Sequence, residues 1–245
     1  MDKISEIKKN RNKVYEGSGK TLFHGNDEDE SSLVLFFKDE LKYAGEIINI
    51  SGKGVINNTI SSYLMEKLDL VGIENHFIEK NNMREQIIQI LDIIPVQVRV
   101  SNVAVGSYVS HFGVQEGFLF NDPMIEFKVK NPTTQNPTIN ETQMVGFNWI
   151  APYEVKQIKK AARRANDFLS GFFAACGLRL VECNLEFGRV FNGEDFILMV
   201  ADEITPESCR LWDIETNQKF DIDEIVKSEK PIEIYQEIYK RIIGE

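Results

Sequence analysis

Three cysteines and three histidines in 245 residues leave little for thiolate or imidazole chemistry. Cys176, Cys183 and Cys209 form no CxxC pair, and His24, His76 and His111 are scattered without ligand spacing. Both facts argue against structural zinc and against a disulfide framework. Excess positive charge is missing too: 28 lysines and arginines face 38 aspartates and glutamates, a formal net charge of -10. Phosphate backbones select basic surfaces, so no nucleic-acid partner is expected, and an anionic small substrate would need a local basic pocket. The apolar runs are far too short to span a bilayer, and the opening MDKISEIKKNRNK lacks the apolar stretch of a signal peptide. The expectation is a cytoplasmic protein with no membrane partner.

What is present describes an ordinary globular chain, 42% hydrophobic and 27% charged, long enough for one large domain or two lobes. Lys13 to Phe23 reads as strand, glycine-rich turn, strand. Its Gly19-Lys20-Thr21 end mimics a P-loop, but that motif needs glycine where Val14 stands. The segment is either a plain surface hairpin or one that covers phosphates with its backbone N–H groups and Lys20. Leu33 to Phe37 reads as a strand, Lys38 to Ser51 as a loop, and Val55 to Gly72 as a helix on the spacing of Ile56, Ile60, Tyr63, Leu64 and Leu68. His76 to Ile78, Ile87 to Asp92 and Val96 to Val100 read as strands, with a break at Pro95. Ile93-Ile94-Pro95 is where a first lobe would hand over to a second. Ser101 to Ser107 reads as a binding loop, Met124 to Lys130 as a strand, and the two-proline stretch from Asn131 to Thr138 as a loop. Pro152 to Cys176 is the clearest helix, with proline at its start, Gly177 past its end and an apolar stripe from Val155 to Phe173. Pro231 to Ile243 reads as a closing amphipathic helix.

Between these helices lies Leu178 to Asp213. Val181, Cys183, Leu185 and Phe187 alternate with Glu182, Asn184 and Glu186, the pattern of a strand with one core face and one polar face. A turn centred near Glu194 would bring the strand back with Glu186 opposite Asp202. Opposed carboxylates repel unless a cation or a shared proton lies between them. The pair is therefore a hard-metal site or two solvated side chains on an exposed hairpin.

Several motifs, in order, carry a resemblance: Tyr15-x-Gly17-x-x-Lys20, Gly52-Lys53-Gly54-x-x-Asn57-Asn58, Asn102-Val103-Ala104-x-Gly106-Ser107, Phe112-Gly113-x-x-Glu116-Gly117, Leu185-Glu186-Phe187-Gly188, and Ala201-Asp202-Glu203-Ile204-x-Pro206 through Cys209-Arg210-Leu211-Trp212-Asp213. Over nearly its whole length the chain resembles the phosphoribosylaminoimidazole-succinocarboxamide synthase (SAICAR synthase) family. The resemblance implies an α+β fold of two lobes, a smaller antiparallel one over residues 1–93 and a larger one over 94–245, with ATP in the cleft. It implies a carbon–nitrogen ligase of purine biosynthesis that joins carboxyaminoimidazole ribonucleotide to L-aspartate through an acyl phosphate. Carried over by position, Gly17, Gly19 and Lys20 cover the phosphates, and the Leu91-Asp92-Ile93 backbone borders the adenine. Glu186 and Asp202 hold Mg2+, Ser107 and Arg210 hold the anionic substrate, and Lys130 stands beside the reacting groups. A homo-oligomer is compatible with the family.

The chain also departs from the family pattern. Ser18 and Gly19 interrupt its Gly-Lys-Ala-Lys loop, Ser101 replaces an arginine, Asn184 a lysine, and Ile222 another lysine; the loop from Asn131 to Pro137 carries no carboxylate. The changes at Ser18, Ser101, Asn184 and Ile222 remove cations from a site that binds anions. Arg99, two residues before Ser101 on the same strand face, is the candidate replacement. Three readings follow: a SAICAR synthase with an altered pocket, a divergent paralogue using MgATP on another acid and amine, or a non-catalytic nucleotide-binding protein.

Overall fold

The computed structural model describes residues 12–25, 31–130 and 136–244, so the basic opening stretch and most of the two-proline loop lie outside the described residues. In chain order the elements are β1 (Lys13–Glu16), β2 (Lys20–His24), β3 (Ser32–Phe37), β4 (Glu40–Tyr43), β5 (Glu46–Asn49), α1 (Lys53–Leu70), β6 (Phe77–Lys80), β7 (Glu85–Gln89), β8 (Asp92–Val103), α2 (Ser107–Ser110), β9 (Leu119–Val129), β10 (Thr138–Ile139), α3 (Glu141–Gly146), α4 (Pro152–Ala175), β11 (Leu178–Phe191), β12 (Phe196–Ala201), β13 (Cys209–Asp213), α5 (Ile222–Lys227) and α6 (Pro231–Ile243).

Two large antiparallel sheets follow one another along the chain, with a separate two-stranded one, β4-β5, falling between β3 and β6 in sequence, and the helices complete an α+β fold. The first runs β1-β2-β3-β7-β6; the second runs β10-β9-β8-β11-β12, with β13 also on β11. Membership changes between Gln89 and Asp92. Strands β12 and β13 pair with the same long strand end to end, Glu186 to Phe191 carrying the first and Leu178 to Cys183 the second. Residues 202–208 join them, a short crossing that delivers several acidic side chains to one place.

The main core lies on one face of the second sheet. Helix α4 supplies Val155, Ile158, Ala162, Ala165, Leu169 and Phe173, and these meet Leu178, Leu180, Cys183, Leu185 and Phe187 of β11 and Val96, Val98 and Val100 of β8. Each fully buried side chain of this size contributes about 1.5–3 kcal/mol of transfer free energy. Ile60, Leu64, Met65 and Leu68 of α1 join the same core, so a helix from the first half of the chain is tied into the second sheet.

Four expectations are corrected. The stretch expected as a loop from Lys38 holds the β4–β5 hairpin, whose tip uses Ala44 and Gly45 at positive φ. Glu40-Leu41-Lys42-Tyr43 does alternate, but over only four residues before the Ala44-Gly45 turn. Pro95 does not break the strand: β8 runs through it, and the irregularity in its pairing with β11 between Glu186 and Gly188 accommodates the missing N–H. Ser101 to Val103 belong to β8 and not to a loop, which narrows the connection before α2 to Ala104, Val105 and Gly106. A bulge in the β11–β13 pairing between Leu180 and Glu182 turns Val181 away from the main core to pack with Val103, Val105 and Trp212. Strict alternation from Val181 therefore fails by one residue.

Candidate active site

The β11–β12 hairpin is one residue out of the expected register. Phe191 pairs with Phe196 and Glu186 with Ala201, not with Asp202. Cross-strand partners share a face, so Ala201 takes the polar face with Glu186, while Phe187 and Val200 take the core face. An extended Asp202 would point with Val200 into the core. Its φ of 66° turns the chain into the left-handed region instead, and its carboxylate comes round to the same cavity as Glu186. Aspartate is among the few residues that tolerate this conformation. The two carboxylates line one cavity, although the register pairs Glu186 with Ala201.

That cavity has a volume of about 590 Å³ and lies between the two sheets. Leu22, Leu33, Leu35, Ile88, Leu91 and Ile93 make an apolar wall, and Lys20, Lys130, Glu186 and Asp202 make a charged end. Lys20 pairs with Asp202 and lies 3.6 Å from Glu203; Lys130 pairs with Glu186. Burial raises the pKa of Glu203, with Lys20 opposing it. His76, 4% exposed, holds the Asp202 carbonyl at 2.8 Å through Nε2. Burial, with the charge of Lys20 adding to it, pushes this imidazole down to about 3.

The turn from Gly17 to Lys20 folds over this end. Gly17 N–H donates to the Lys20 carbonyl, the Gly17 carbonyl accepts from Lys38 Nζ at 3.2 Å, and the Gly19 carbonyl accepts from Lys38 N–H. A Cβ on Gly19 would stand 3.5 Å from Glu207 Oε2 and 3.7 Å from Lys53 Nζ. Beneath it, the fully buried Lys53 donates to Glu207 at 2.7 Å, and Asn57 and Tyr235 bond the same carboxylate oxygen. Of the three residues expected around adenine, Leu91 and Ile93 line the cavity. Asp92 turns its side chain outward to Arg189, at 3.0 Å, leaving only its backbone for the expected role.

A second group continues along the polar face of the same sheet. Pairing sets Glu186, Gln97 and Lys128 in one row, Asn184, Arg99 and Glu126 in the next, and Glu182, Ser101 and Met124 in a third. Arg99 Nε donates to Asn184 Oδ1 at 3.5 Å and lies 3.8 Å from Glu182. Arg210 lies 3.4 Å from Glu182 and bonds Asp221 at 3.0 Å. Burial, followed by the charge of Arg99, lowers the pKa of Lys128. Ser107 opens α2, and the next residue, Tyr108, is buried beside this group, with burial and then the charge of Glu126 pushing its hydroxyl up to about 12. The Tyr108 hydroxyl interacts with the side chains of Ser101 and Glu126, a small buried polar cluster beneath the face that carries Arg99.

Over this geometry, a family model described as SAICAR synthetase matches residues 13–242. The chain belongs to the SAICAR synthetase family. Among its relatives, a Rickettsia rickettsii (strain Sheila Smith) protein named phosphoribosylaminoimidazole-succinocarboxamide synthase is 49% identical over 234 residues, which is 95% of this chain and 98% of that one. A Rickettsia bellii (strain OSU 85-389) protein of the same name is 51% identical over 233 residues, 95% of this chain and 97% of that one. Among solved structures, the Ehrlichia chaffeensis member of the family superposes with a TM-score of 0.90 at 37% identity, covering 95% of this chain and 99% of that one. A SAICAR synthetase solved in complex with ADP gives 0.88 at 34% identity, covering 94% and 97%.

Sequence reasoning missed His76, Lys53, Glu203, Glu207 and Lys128. Lys53 stands inside the Gly52-Lys53-Gly54 motif, and Glu203 and Glu207 stand in the stretch after Asp202, so charge within those motifs was an available signal. Nothing local singles out His76, because its partner is 126 residues away.

Proposed function

We infer that the protein is an ATP-dependent SAICAR synthase, a carbon–nitrogen ligase of purine biosynthesis that produces SAICAR, ADP and phosphate. One carboxylate oxygen of carboxyaminoimidazole ribonucleotide attacks the γ-phosphorus and ADP leaves, forming an acyl phosphate. The amine of L-aspartate then attacks the acyl carbon, the C–O bond to phosphate breaks, and the nitrogen gives up a proton as the amide forms. The observation that carries this reading is the single cavity in which an apolar wall meets two lysine–carboxylate pairs, in a chain whose relatives bear this enzyme's name.

The apolar wall of Leu22, Leu33, Leu35, Leu91 and Ile93 suits an adenine ring, with the Leu91-Asp92-Ile93 backbone at its edge. Gly17, Gly19 and Lys20 cover the phosphates. Glu186 and Asp202 offer hard oxygen donors on one cavity, the set Mg2+ takes together with phosphate oxygens and water, so the residues fit the ion. When bound there, it would neutralise charge on the phosphates. Lys20 and Lys130 now hold those carboxylates; with nucleotide present they turn to phosphoryl oxygens and stabilise the charge that spreads over them in transfer. The polar face with Arg99 and Arg210, together with Ser107 at the start of α2, takes the anionic ribonucleotide, and the two guanidinium groups support this placement. On this reading the described residues up to 93 belong to the nucleotide-covering lobe and those from 94 onward to the lobe that carries the metal and substrate residues. The reading places the enzyme in the cytoplasm with small-molecule partners.

The test is ADP release followed by a coupled assay. Turnover is expected only when carboxyaminoimidazole ribonucleotide, L-aspartate, ATP and Mg2+ are all present. ADP release that ignores the ribonucleotide, or turnover with another acid and amine alone, would overturn the assignment.

A further inference from the structure

His76 is clamped on every side. Its N–H donates to the Val200 carbonyl at 3.0 Å, and its carbonyl accepts from Gln89 at 2.7 Å. Asn75 bridges to Val200 in parallel fashion, and Val200 N–H donates to the Glu74 carbonyl. The segment before β6 is thus stitched onto the free edge of β12, two residues before Asp202. From that position the imidazole reaches the Asp202 carbonyl at 2.8 Å. A carbonyl only accepts, so Nε2 carries the proton. Asp202 is the residue whose left-handed backbone moves its carboxylate from the core face of the hairpin to the cavity that Glu186 also lines.

We propose that His76 is a positioning residue: by donating Nε2–H to the Asp202 carbonyl it holds the turned backbone that aims the Asp202 carboxylate at the cation beside Glu186. The proposal rests on the reading of this cavity as a nucleotide and metal site. His76 itself lines the cavity, but its Nε2 is engaged by the Asp202 carbonyl, so its part is to fix the peptide on which a ligand is mounted. Removing such a supporting contact lowers metal affinity without removing any donor.

The test uses the ATP-induced rise in melting temperature as Mg2+ is titrated, which needs no turnover. Wild type is compared with His76→Gln, whose amide nitrogen occupies the place of Nε2, and with His76→Leu, which fills the space without a donor. His76→Leu is expected to need about tenfold more Mg2+ for half of the full rise, and His76→Gln to stay within about twofold of wild type. Should His76→Leu fail to fold, His76→Asn, whose amide falls short of the carbonyl, is read in its place. Equal Mg2+ demand in all variants, or a demand in His76→Gln as high as in His76→Leu, overturns the proposal alone. A wild type without any Mg2+-dependent rise overturns the nucleotide reading and the proposal with it.

Discussion

Glu186 and Asp202 each hold a lysine in a partly buried cavity, so neutralising either carboxylate releases a cation and, on the proposed function, removes a metal donor as well. Glu186→Gln and Asp202→Asn should each lower kcat by roughly 10²–10³-fold, the usual loss when one charge-stabilising group leaves an active site. Circular dichroism should stay unchanged, and turnover at the wild-type rate would remove the residue from the mechanism. Arg99 asks a different question, because Glu182 and Asn184 already engage it. If it holds the anionic ribonucleotide, Arg99→Ala loses a charge-assisted bond of about 1.5–3 kcal/mol, a rise in KM for that substrate of roughly 10- to 100-fold. Affinity for MgATP should not move. An unchanged ribonucleotide KM would leave Arg99 with only its contacts to the strand beside it.

At the scale of elements, two close contacts lie at β11, one where β8 begins and one at the start of α4. A Cβ on Gly188 of β11 would lie 2.7 Å from Leu91 Cβ and 3.2 Å from the Asp92 carbonyl. Gly188→Ala should therefore cost about 1–3 kcal/mol by overpacking and weaken ATP binding, since Leu91 is part of the cavity wall. A denaturant midpoint equal to that of wild type would contradict this. Glu154 anchors the start of α4: it accepts Ala151 N–H at 2.7 Å and pairs with Arg189, which also bonds the Trp149 carbonyl. Burial alone would raise its pKa, but the hydrogen bond from Arg189, the Ala151 N–H and the charge of Arg189 outweigh it and lower the pKa from 4.5. A lowered folded value means stability that is present above pH 4.5 and lost as pH falls through the folded pKa. Glu154→Gln should cost about 1–3 kcal/mol near neutrality and flatten this acid limb. Equal loss of stability on acidification in both proteins would exclude the role. The same elements show where local reading works. Helix α4 was legible from its proline start, its apolar stripe and Gly177, and β11 from its alternation. The bulge at Val181 and the β4–β5 hairpin were not, because each arises where the backbone answers a neighbouring strand and not its own side chains.

For the whole molecule, a ligand lying between the two sheets binds the folded state and not the unfolded chain. MgATP at a hundred times its dissociation constant should stabilise by about 2.7 kcal/mol, which for a chain of this length is a rise of roughly 5–10 °C in melting temperature. No rise at saturating MgATP would contradict a nucleotide site in the cavity. Residue alternation, helix periodicity and the order of short motifs are properties of neighbours along the chain, so the sequence by itself determined the strands and helices that build the site, the family and the candidate carboxylates and lysines. Which of these charges meet was decided only by tertiary structure. Lys20 and Asp202 are separated by 182 residues, and the crossing at residues 202–208 brings Glu203 and Glu207 beneath the Gly17–Lys20 turn. The hairpin register, the left-handed turn at Asp202 and the imidazole of His76 that bonds it each depend on how the two sheets close on one another. No pattern confined to one segment carries that information, because the partner of each group lies in another part of the fold.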